Sequence, residues 1–409
     1  IGISFAYGVV LLATRSHLLD RDDRNLGALA NLADADGKFT SQSVVRGVLG
    51  REFSILVQNA LFTVFTFTVL LGTVYPLLVE QFQDRRISVG EPFFDRWALP
   101  IGLAIVFMMG VGPALPWGRM KPDQAPKRFV PSFVFGLVVA GAVAAMGMTH
   151  PLPLLTMFIC GMAFWTNLNE TLAPTRQRMQ SRNEGFFTAL RQTIVRARRR
   201  FGGHLAHYGV ILAVGSIALS RGYRAERDFN VGKDQTIEFQ GYNVTFLGRV
   251  VEPQPHRMSM IARFHAVPTS LPATPEQRAA DLTAFETSED SFLRRGAVGL
   301  VASSLIDAVA PRRIFEPRMN YYTGTRMKDP IWSPDVRSTF SSDLYFSLIE
   351  LPDNGENVQI KLIRRPFMMW LWWAGPLIFL GTVIAAWPPR RVTASPRTAP
   401  AGATAGEPA

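Results

Sequence analysis

The chain has 409 residues, of which 48% are apolar, and a formal net charge of +11 at pH 7. This charge is concentrated between apolar runs: residues 176–200 hold eight arginines and one glutamate. Lys/Arg-rich loops between apolar runs are typical of the cytoplasmic side of membrane proteins, so the charge argues against a nucleic-acid partner. The single cysteine, Cys160, lies in an apolar run, which excludes disulfides and cysteine metal sites within the chain.

Six apolar runs contain no charged residue: 58–78, 97–117, 129–148, 152–168, 201–219 and 367–387. Each approaches the roughly 20 residues that a helix needs to cross a bilayer, and in lipid only helices or closed barrels satisfy the backbone hydrogen bonds. The sequence therefore predicts a polytopic α-helical membrane protein of about six to seven transmembrane helices, with an external, mostly β soluble domain before the last helix.

Placing the arginine-rich segments in the cytoplasm gives one consistent path through the membrane. We interpret residues 1–14 as the end of a truncated transmembrane helix, and the chain as the later part of a longer protein without a signal peptide. The remaining predicted segments are a cytoplasmic loop at 15–53, four transmembrane helices with short loops at 54–168, an Arg-rich cytoplasmic loop at 169–200, a histidine-bearing transmembrane helix at 201–220, an external β domain at 221–365, a last transmembrane helix at 366–388 and a disordered cytoplasmic tail at 389–409.

Four segments of the predicted β domain alternate apolar and polar residues, as strands do. TIEF and YNVTFLGRVV flank Gln240 and Gly241, whereas DLYFSLIEL and NVQIKLI flank Asn354 and Gly355, a hairpin signal. Residues 269–295, rich in Ala, Pro, Thr and acidic residues, predict a surface insertion that contains a short helix.

Two histidines, His204 and His207, lie near the start of the run 201–219. Ionisable groups inside a membrane span are candidates for function, and a neutral imidazole is a good iron ligand. Since residues three apart lie on one helix face, the two histidines cannot occupy opposite axial positions of one haem. If His207 is a haem ligand, its trans ligand comes from another helix.

A plainer interpretation places His204, four residues past Arg200, in the headgroup region, where it would contact lipid phosphate. Small residues around His207 leave room for close helix packing or for a bulky planar cofactor; they are Gly202, Gly203, Ala206, Gly209, Ala213, Gly215 and Ser216. Four other histidines are interpreted without a ligand role: His17 and His150 as loop residues, and His256 and His265 as solvated residues of the β domain.

Five segments form an ordered set of motifs: GREFSILVQNALFTVFTFTVLLGTVYPLL, ISVGEPFFD, RRRFGGHLAHYGVILAVGSIALSRGYRAERDF, NYYTGTRMKDP followed by SSDLYFSL, and RRPFMMWLWWAGPLIFLGTVIAAWPPRR. Taken together they resemble the CcmF family of cytochrome c-type biogenesis proteins, the haem lyase subunit. The resemblance runs from about residue 50 to residue 391.

The resemblance implies a multi-pass protein of the cytoplasmic (inner) membrane, with the β domain on the periplasmic side. It implies that the protein takes haem from a carrier and promotes its attachment by thioether bonds to the CxxCH motif of apocytochrome c. It also implies that other cytochrome c maturation membrane proteins are partners, with quinol as a candidate electron donor. It also implies a haem b held by two transmembrane histidines. The second of these matches His207, in AHYG, whereas His204 falls where the family more often has another residue and is assigned only as a neighbour.

Several family features have no counterpart in this sequence: the Trp-rich WWD segment, the first transmembrane histidine and two periplasmic haem-ligating histidines. Trp370, Trp372 and Trp373 are interpreted as an aromatic belt instead. The leading hypothesis is a haem lyase component whose chemistry is driven by the cofactor, because no nucleophile or acid–base pair stands out. The alternative is a docking or assembly module for apocytochrome or maturation partners, without haem chemistry of its own. A transporter is disfavoured because the spans carry neither paired charges nor an inverted repeat.

Overall fold

A computed structural model of the chain describes residues 48–85, 87, 89–117, 122–271, 274–287, 313–322, 330–352 and 356–387. The predicted span end at 1–14, the predicted tail at 389–409, His17 and the predicted turn at Asn354 and Gly355 lie outside the described residues. Most of the predicted loop at 15–53 lies outside them as well.

The described residues contain eight α-helices. They are α1 (Arg51–Gln83), α2 (Glu91–Val111), α3 (Ala125–Ala145), α4 (Pro151–Arg182), α5 (Phe186–Arg196), α6 (Arg198–Gly222), α7 (Pro275–Thr287) and α8 (Met368–Ala386). All except α5 and α7 are long and apolar enough to cross a membrane. Each of these six helices contains most of one predicted apolar run, which confirms the predicted polytopic helical fold.

Helix α4 is the centre of the helical bundle, since it packs against α2, α3 and α6. Half of its most apolar stretch is buried inside the protein, compared with 11% of that of α1, which lies at the edge against α2. Helices α3 and α4 approach each other at Gly136 and Gly161, where a Cβ on Gly161 would lie 2.9 Å from the Cα of Gly136. Small residues at such crossings are what allow helices to pack closely in lipid.

The closest helix pair in the bundle is α6 with α8, and it depends on glycine. A Cβ on Gly209 would lie 2.6 Å from Cγ1 of Ile378 and 2.9 Å from the carbonyl oxygen of Ala374. One on Gly202 would lie 2.5 Å from the carbonyl oxygen of Gly381. Gly203, on another face of α6, has nothing within 4 Å. Only part of the small-residue set around His207 is therefore used for helix packing.

The predicted Arg-rich loop at 169–200 is largely helical. Helix α4 continues to Arg182, and α5 covers Phe186–Arg196. Arg178 closes the turn between them by donating two hydrogen bonds to Glu184, at 2.6 and 2.8 Å. These hydrogen bonds are the main reason why the pKa of Glu184 lies below its ordinary value.

In the part of the chain that the structure describes, ten β-strands follow α6 and form the soluble domain. They are β1 (Ala225–Gly232), β2 (Thr236–Phe239), β3 (Tyr242–Gln254), β4 (Arg257–Pro268), β5 (Ile314–Phe315), β6 (Arg318–Tyr322), β7 (Ile331–Ser333), β8 (Asp335–Ser338), β9 (Ser342–Glu350) and β10 (Asn357–Pro366). One antiparallel sheet has the order β1-β10-β9-β8, and the other β2-β3-β4-β6-β7, with β5 paired to β4. The mostly β domain predicted from the sequence is confirmed.

Apolar residues from both sheets form one core, including Phe246 and Phe264 from one sheet and Phe346 and Leu362 from the other. The Phe315 and Phe346 rings stack across it at 4.1 Å between centroids. This shared core makes the domain a β-sandwich, in which inward-facing residues of the two sheets interdigitate.

The hairpin predicted around Gln240 and Gly241 is confirmed, since Phe239 pairs with Tyr242. Both turn residues have positive φ, 49° and 81°, as the tightest hairpin turns require. The second predicted pair of strands, β9 and β10, is also antiparallel.

The β domain is inserted between the two helices that pack most closely. Strand β1 begins three residues after α6 ends, and β10 ends two residues before α8 begins. Because β1 and β10 are hydrogen-bonded neighbours, with Ala225 opposite Arg364, the chain leaves the bundle and returns to it at one place.

Candidate functional site

Helix α6 carries His204 and His207 in its first turns, within a segment flanked by charges. Arg200 pairs with Glu170 of α4 at 2.6 Å, and at the other end Arg221 pairs with Asp95 at 2.8 Å. The 21 residue steps from Arg200 to Arg221 correspond to about 31 Å of helix, which matches the roughly 30 Å hydrocarbon core of a bilayer. The two histidines therefore lie inside the apolar segment, near its Arg200 end.

Both imidazoles contact one amide on α4. The Nδ1 atoms of His204 and His207 lie 2.8 and 2.9 Å from Oδ1 of Asn167. The rings are nearly perpendicular, at 86°, with centroids 6.1 Å apart. Asn167 is completely buried, and its Nδ2 donates to the carbonyl oxygen of Ala163 at 2.8 Å. This last bond orients the amide, because it fixes which end carries the hydrogens and turns the oxygen toward the histidines.

The shared amide oxygen determines how each imidazole carries its proton. An amide oxygen accepts hydrogen bonds and cannot donate them. Each Nδ1 must therefore carry the hydrogen, and in the neutral imidazole the lone pair is left on Nε2. Within the described residues neither Nε2 atom has a hydrogen-bond partner, and neither is sealed from solvent. Both histidines thus present a ligand atom away from Asn167.

Further polar side chains of α4 line the same interface. Thr171 donates to the backbone oxygen of Asn167 at 2.8 Å, so the 3.1 Å contact between Thr171 and the Tyr208 hydroxyl is donated by the tyrosine. Thr166 is buried and bonded to Ser132 of α3 at 3.0 Å. Asn167, Thr171 and Tyr208 thus form a polar region at one end of the α4–α6 interface, and Thr166 and Ser132 form a separate polar contact between α3 and α4.

An apolar cleft of about 420 Å³ begins one turn further along both helices. Its lining includes Phe164, three residues before Asn167, and Ile211, four residues after His207, together with Phe135, Cys160 and Gly215. Its far end is bounded by Phe367 and Trp370 at the start of α8. A cleft of this size lies in the range that holds small organic ligands and cofactors.

The other predicted histidine positions differ in their outcome. His150 caps the start of α4, where its backbone N–H donates to the Tyr223 hydroxyl at 2.9 Å, and His256 is exposed in the turn between β3 and β4. The prediction that His265 is a solvated surface residue is wrong. Its side chain is fully buried, and Nε2 lies 2.8 Å from a carboxylate oxygen of Asp281 on α7. Helix α7 covers the outer face of β4, which the strand pattern alone does not indicate.

His204 also lies elsewhere than its plainer interpretation suggested. It is 8% exposed and faces Asn167 rather than a lipid headgroup. The structure places it inside the bundle, on the same Asn167 oxygen as His207.

Asn167 is the site residue that sequence reasoning missed. The signal was present, because the run 152–168 ends in WTNL, and a buried amide in a membrane span needs partners. No group of three or more histidine, cysteine, aspartate or glutamate side chains with metal-binding geometry occurs in the part of the chain that the structure describes.

No family model matches the chain. Among curated proteins, it is 26% identical over 342 residues to the cytochrome c-type biogenesis protein CcmF of Pseudomonas aeruginosa, covering 82% of this chain and 44% of that protein. It is 24% identical over 379 residues to CcmF of Escherichia coli, covering 92% of this chain and 50% of that protein. The chain spans about half the length of the curated relatives that it matches.

A solved structure described as a cytochrome c haem lyase, CcmF, has a similar fold. The TM-score is 0.54 at 24% sequence identity, over 85% of this chain and 49% of that one. The predicted resemblance to CcmF-type cytochrome c biogenesis proteins is confirmed by these comparisons.

Proposed function

We propose that the chain is a membrane subunit of cytochrome c maturation, in which His207 is one axial ligand of a haem b. The observation that carries this proposal is the histidine pair on Asn167, a buried amide that leaves the His207 Nε2 free. Iron-ligating histidines commonly donate their other ring N–H to an oxygen acceptor, and this contact sets the tautomer and the ring orientation.

The residues around His207 suit a haem. The cleft one turn further along is lined by aromatic and aliphatic side chains, and the free space beside Gly203 leaves one side of the helix open. No histidine of the other described membrane helices lies within a span, so a second histidine that held the haem would have to come from elsewhere than these spans. Bound haem b supplies one-electron redox chemistry, which in this role keeps the incoming haem ferrous.

The chain's own contribution to haem attachment is positional. Its residues hold one haem ligand in a fixed tautomer, exclude water through the apolar cleft, and present a β-sandwich beside the membrane surface. The partners we propose are apocytochrome c, a haem carrier, other cytochrome c maturation membrane proteins, and quinol as the electron source. The protein would thus be the haem lyase component of this assembly rather than an enzyme with its own nucleophile.

We place the protein in the inner membrane, with the β domain on the periplasmic side. The support is the distribution of charge, because the arginines at 176–200 precede α6 and the β domain follows it. In this orientation the Arg200–Glu170 pair lies at the cytoplasmic surface and the Arg221–Asp95 pair at the outer surface.

A second candidate is a docking or assembly module without haem chemistry. The observation in its favour is that the chain spans only about half the length of its curated relatives. Its described spans also supply only one proposed haem ligand, His207. In that case the β-sandwich would bind apocytochrome or maturation partners, and the histidine pair would only stabilise the α4–α6 interface.

Visible absorption separates the two candidates. The detergent-purified protein, in this form and in one extended by the region that precedes it in the relatives, is reduced with dithionite. We expect a Soret and an α band of b-type haem in the extended form that are lost in His207→Ala and kept in His256→Ala, a control in the exposed β3–β4 turn. Bands that persist without His207 would contradict the ligand assignment, and no haem in the extended form would favour the docking module.

A further inference from the structure

Asn167 makes more contacts than a simple helix-packing residue needs. Its side chain is completely buried, and its amide is held on three sides, by the Ala163 carbonyl and by the Nδ1 atoms of His204 and His207. A carbonyl oxygen has two lone pairs, so two N–H donors satisfy it completely. Placing such an amide in a membrane span is costly unless every group is paired.

We propose that Asn167 is a positioning residue that locks both histidines in the Nδ1–H tautomer and so makes Nε2 of His207 the ligating atom. The tautomer is a property of the protein alone; its functional meaning rests on the proposed haem site at His207. His204 contributes to this positioning, because its Nδ1–H donates to the second lone pair of Asn167 Oδ1 and helps to hold that oxygen in place.

Within the described residues, Asn167 is the only side chain that forms a hydrogen bond with either imidazole. Thr171, one turn further along α4, donates its hydroxyl hydrogen to the Asn167 backbone and accepts from the Tyr208 hydroxyl. Glu170 is engaged with Arg200. Removing the Asn167 oxygen therefore removes the acceptor that both Nδ1–H groups use, and each imidazole is then free to carry its hydrogen on Nε2.

The first test reads the tautomers directly, by ¹⁵N NMR of histidine-labelled protein in detergent, with His204→Gln and His207→Gln to assign the signals. We expect both residues as Nδ1–H tautomers in the native protein. Asn167→Leu should convert them to a mixture or to Nε2–H, whereas Asn169→Leu, the same change on another face of α4, should leave them unchanged. Nε2–H tautomers in the native protein, or no change in Asn167→Leu, would overturn the inference.

The second test reads the consequence for haem. Loss of a partner of this kind typically lowers metal affinity 10- to 100-fold, so we expect Asn167→Leu to bind haem that much more weakly and Asn169→Leu to bind it normally. Asn167→Asp keeps an acceptor of the same shape; it should retain the tautomers and haem, with a midpoint potential below that of the native protein. This variant also keeps the proposal testable if Asn167→Leu does not fold.

The two tests fail in different ways. Native Nδ1–H tautomers without any haem in the extended protein would contradict the proposed function and leave the positioning role of Asn167 intact. Haem that depends on His207 but has unchanged affinity and potential in both Asn167 variants would overturn the positioning role and leave the proposed function intact.

Discussion

Asp343 illustrates how burial alone can set the charge of a residue in the soluble domain. It lies at the start of β9, 1% exposed, opposite Arg365 of β10, and its Oδ1 is sealed from solvent without a partner. Burial raises the pKa of Asp343 to about 6, an effect that a hydrogen bond from Ser338 and the charge of Arg365 only partly offset. The ionised form therefore destabilises the folded domain at neutral pH.

The sign of the pH dependence follows from linkage. The pKa of an aspartate in an unfolded chain is about 3.9, so between about pH 4 and pH 6 the folded state keeps a proton that the unfolded state releases. Stability is then highest at low pH and falls as the pH rises through this window, by up to about 3 kcal/mol for a shift of this size.

We expect Asp343→Asn to remove this dependence, since an amide does not ionise. Hydrogen exchange of the β9 and β10 amides in the detergent-solubilised protein, corrected for intrinsic rates, should show a more stable strand pair in the variant at pH 7 and little difference at pH 4. An identical pH profile in the two proteins would rule out Asp343 as its origin.

Asn167 shows why single residues of the site were harder to predict than their helices. A sequence pattern identifies His204 and His207 as unusual in an apolar run, but it does not say which neighbouring helix faces them. The tautomers depend on one amide 37 and 40 residues earlier in the chain. Only the packing of α4 against α6 brings that amide to the histidines.

At the scale of elements, glycine decides how closely α6 can approach α8. The contacts at Gly209 involve the backbone of α8 and a branched side chain, which cannot move aside without separating the helices. Gly203 faces open space six residues earlier. The same substitution at the two positions should therefore have opposite effects.

We predict that Gly209→Ala lowers the stability of the detergent-solubilised protein by about 1–3 kcal/mol, as overpacking typically does. Gly203→Ala should leave stability unchanged or raise it by up to about 1 kcal/mol, because alanine is the better helix former. Thermal unfolding followed by tryptophan fluorescence measures both. Equal melting temperatures would show that the α6–α8 contact is not close in the folded protein.

Element types were predictable wherever one physical requirement dominates. Length and hydropathy are sufficient for the six membrane helices, and the positive φ of Gly241 is what glycine favours. Helix α5 was not predicted, because an arginine-rich segment of low hydropathy has no membrane signal. The burial of His265 was not predictable either, since the pattern of β4 does not reveal that α7 covers its second face.

At the scale of the whole molecule, the arginine-rich segment and the β domain lie at opposite ends of α6. A protein with α6 as a single span must expose them on opposite sides of the membrane. The chain is convenient for testing this, because its one cysteine, Cys160, is buried among apolar residues.

Cysteines introduced singly into Cys160→Ser protein report the two sides. Ser181 and Glu238 are both exposed, near the end of α4 and in β2 respectively. We expect a membrane-impermeant maleimide to label Glu238→Cys in cells whose outer membrane has been permeabilised, and Ser181→Cys only after the inner membrane is disrupted. The reverse pattern would invert the proposed orientation.

The insertion of the β domain between α6 and α8 also determines the order in which the two helices are synthesised and can pack. The 145 residues between Gly222 and Met368 take on the order of 10–30 s to synthesise at about 5–20 residues per second. During that interval the glycine face of α6 has no partner helix, and the entire β-sandwich must be made before α8 is available. The helix that carries His207 is thus covered by α8 only after the whole sandwich has been made, so a nascent chain that stalls in the sandwich leaves the glycine face of α6 uncovered.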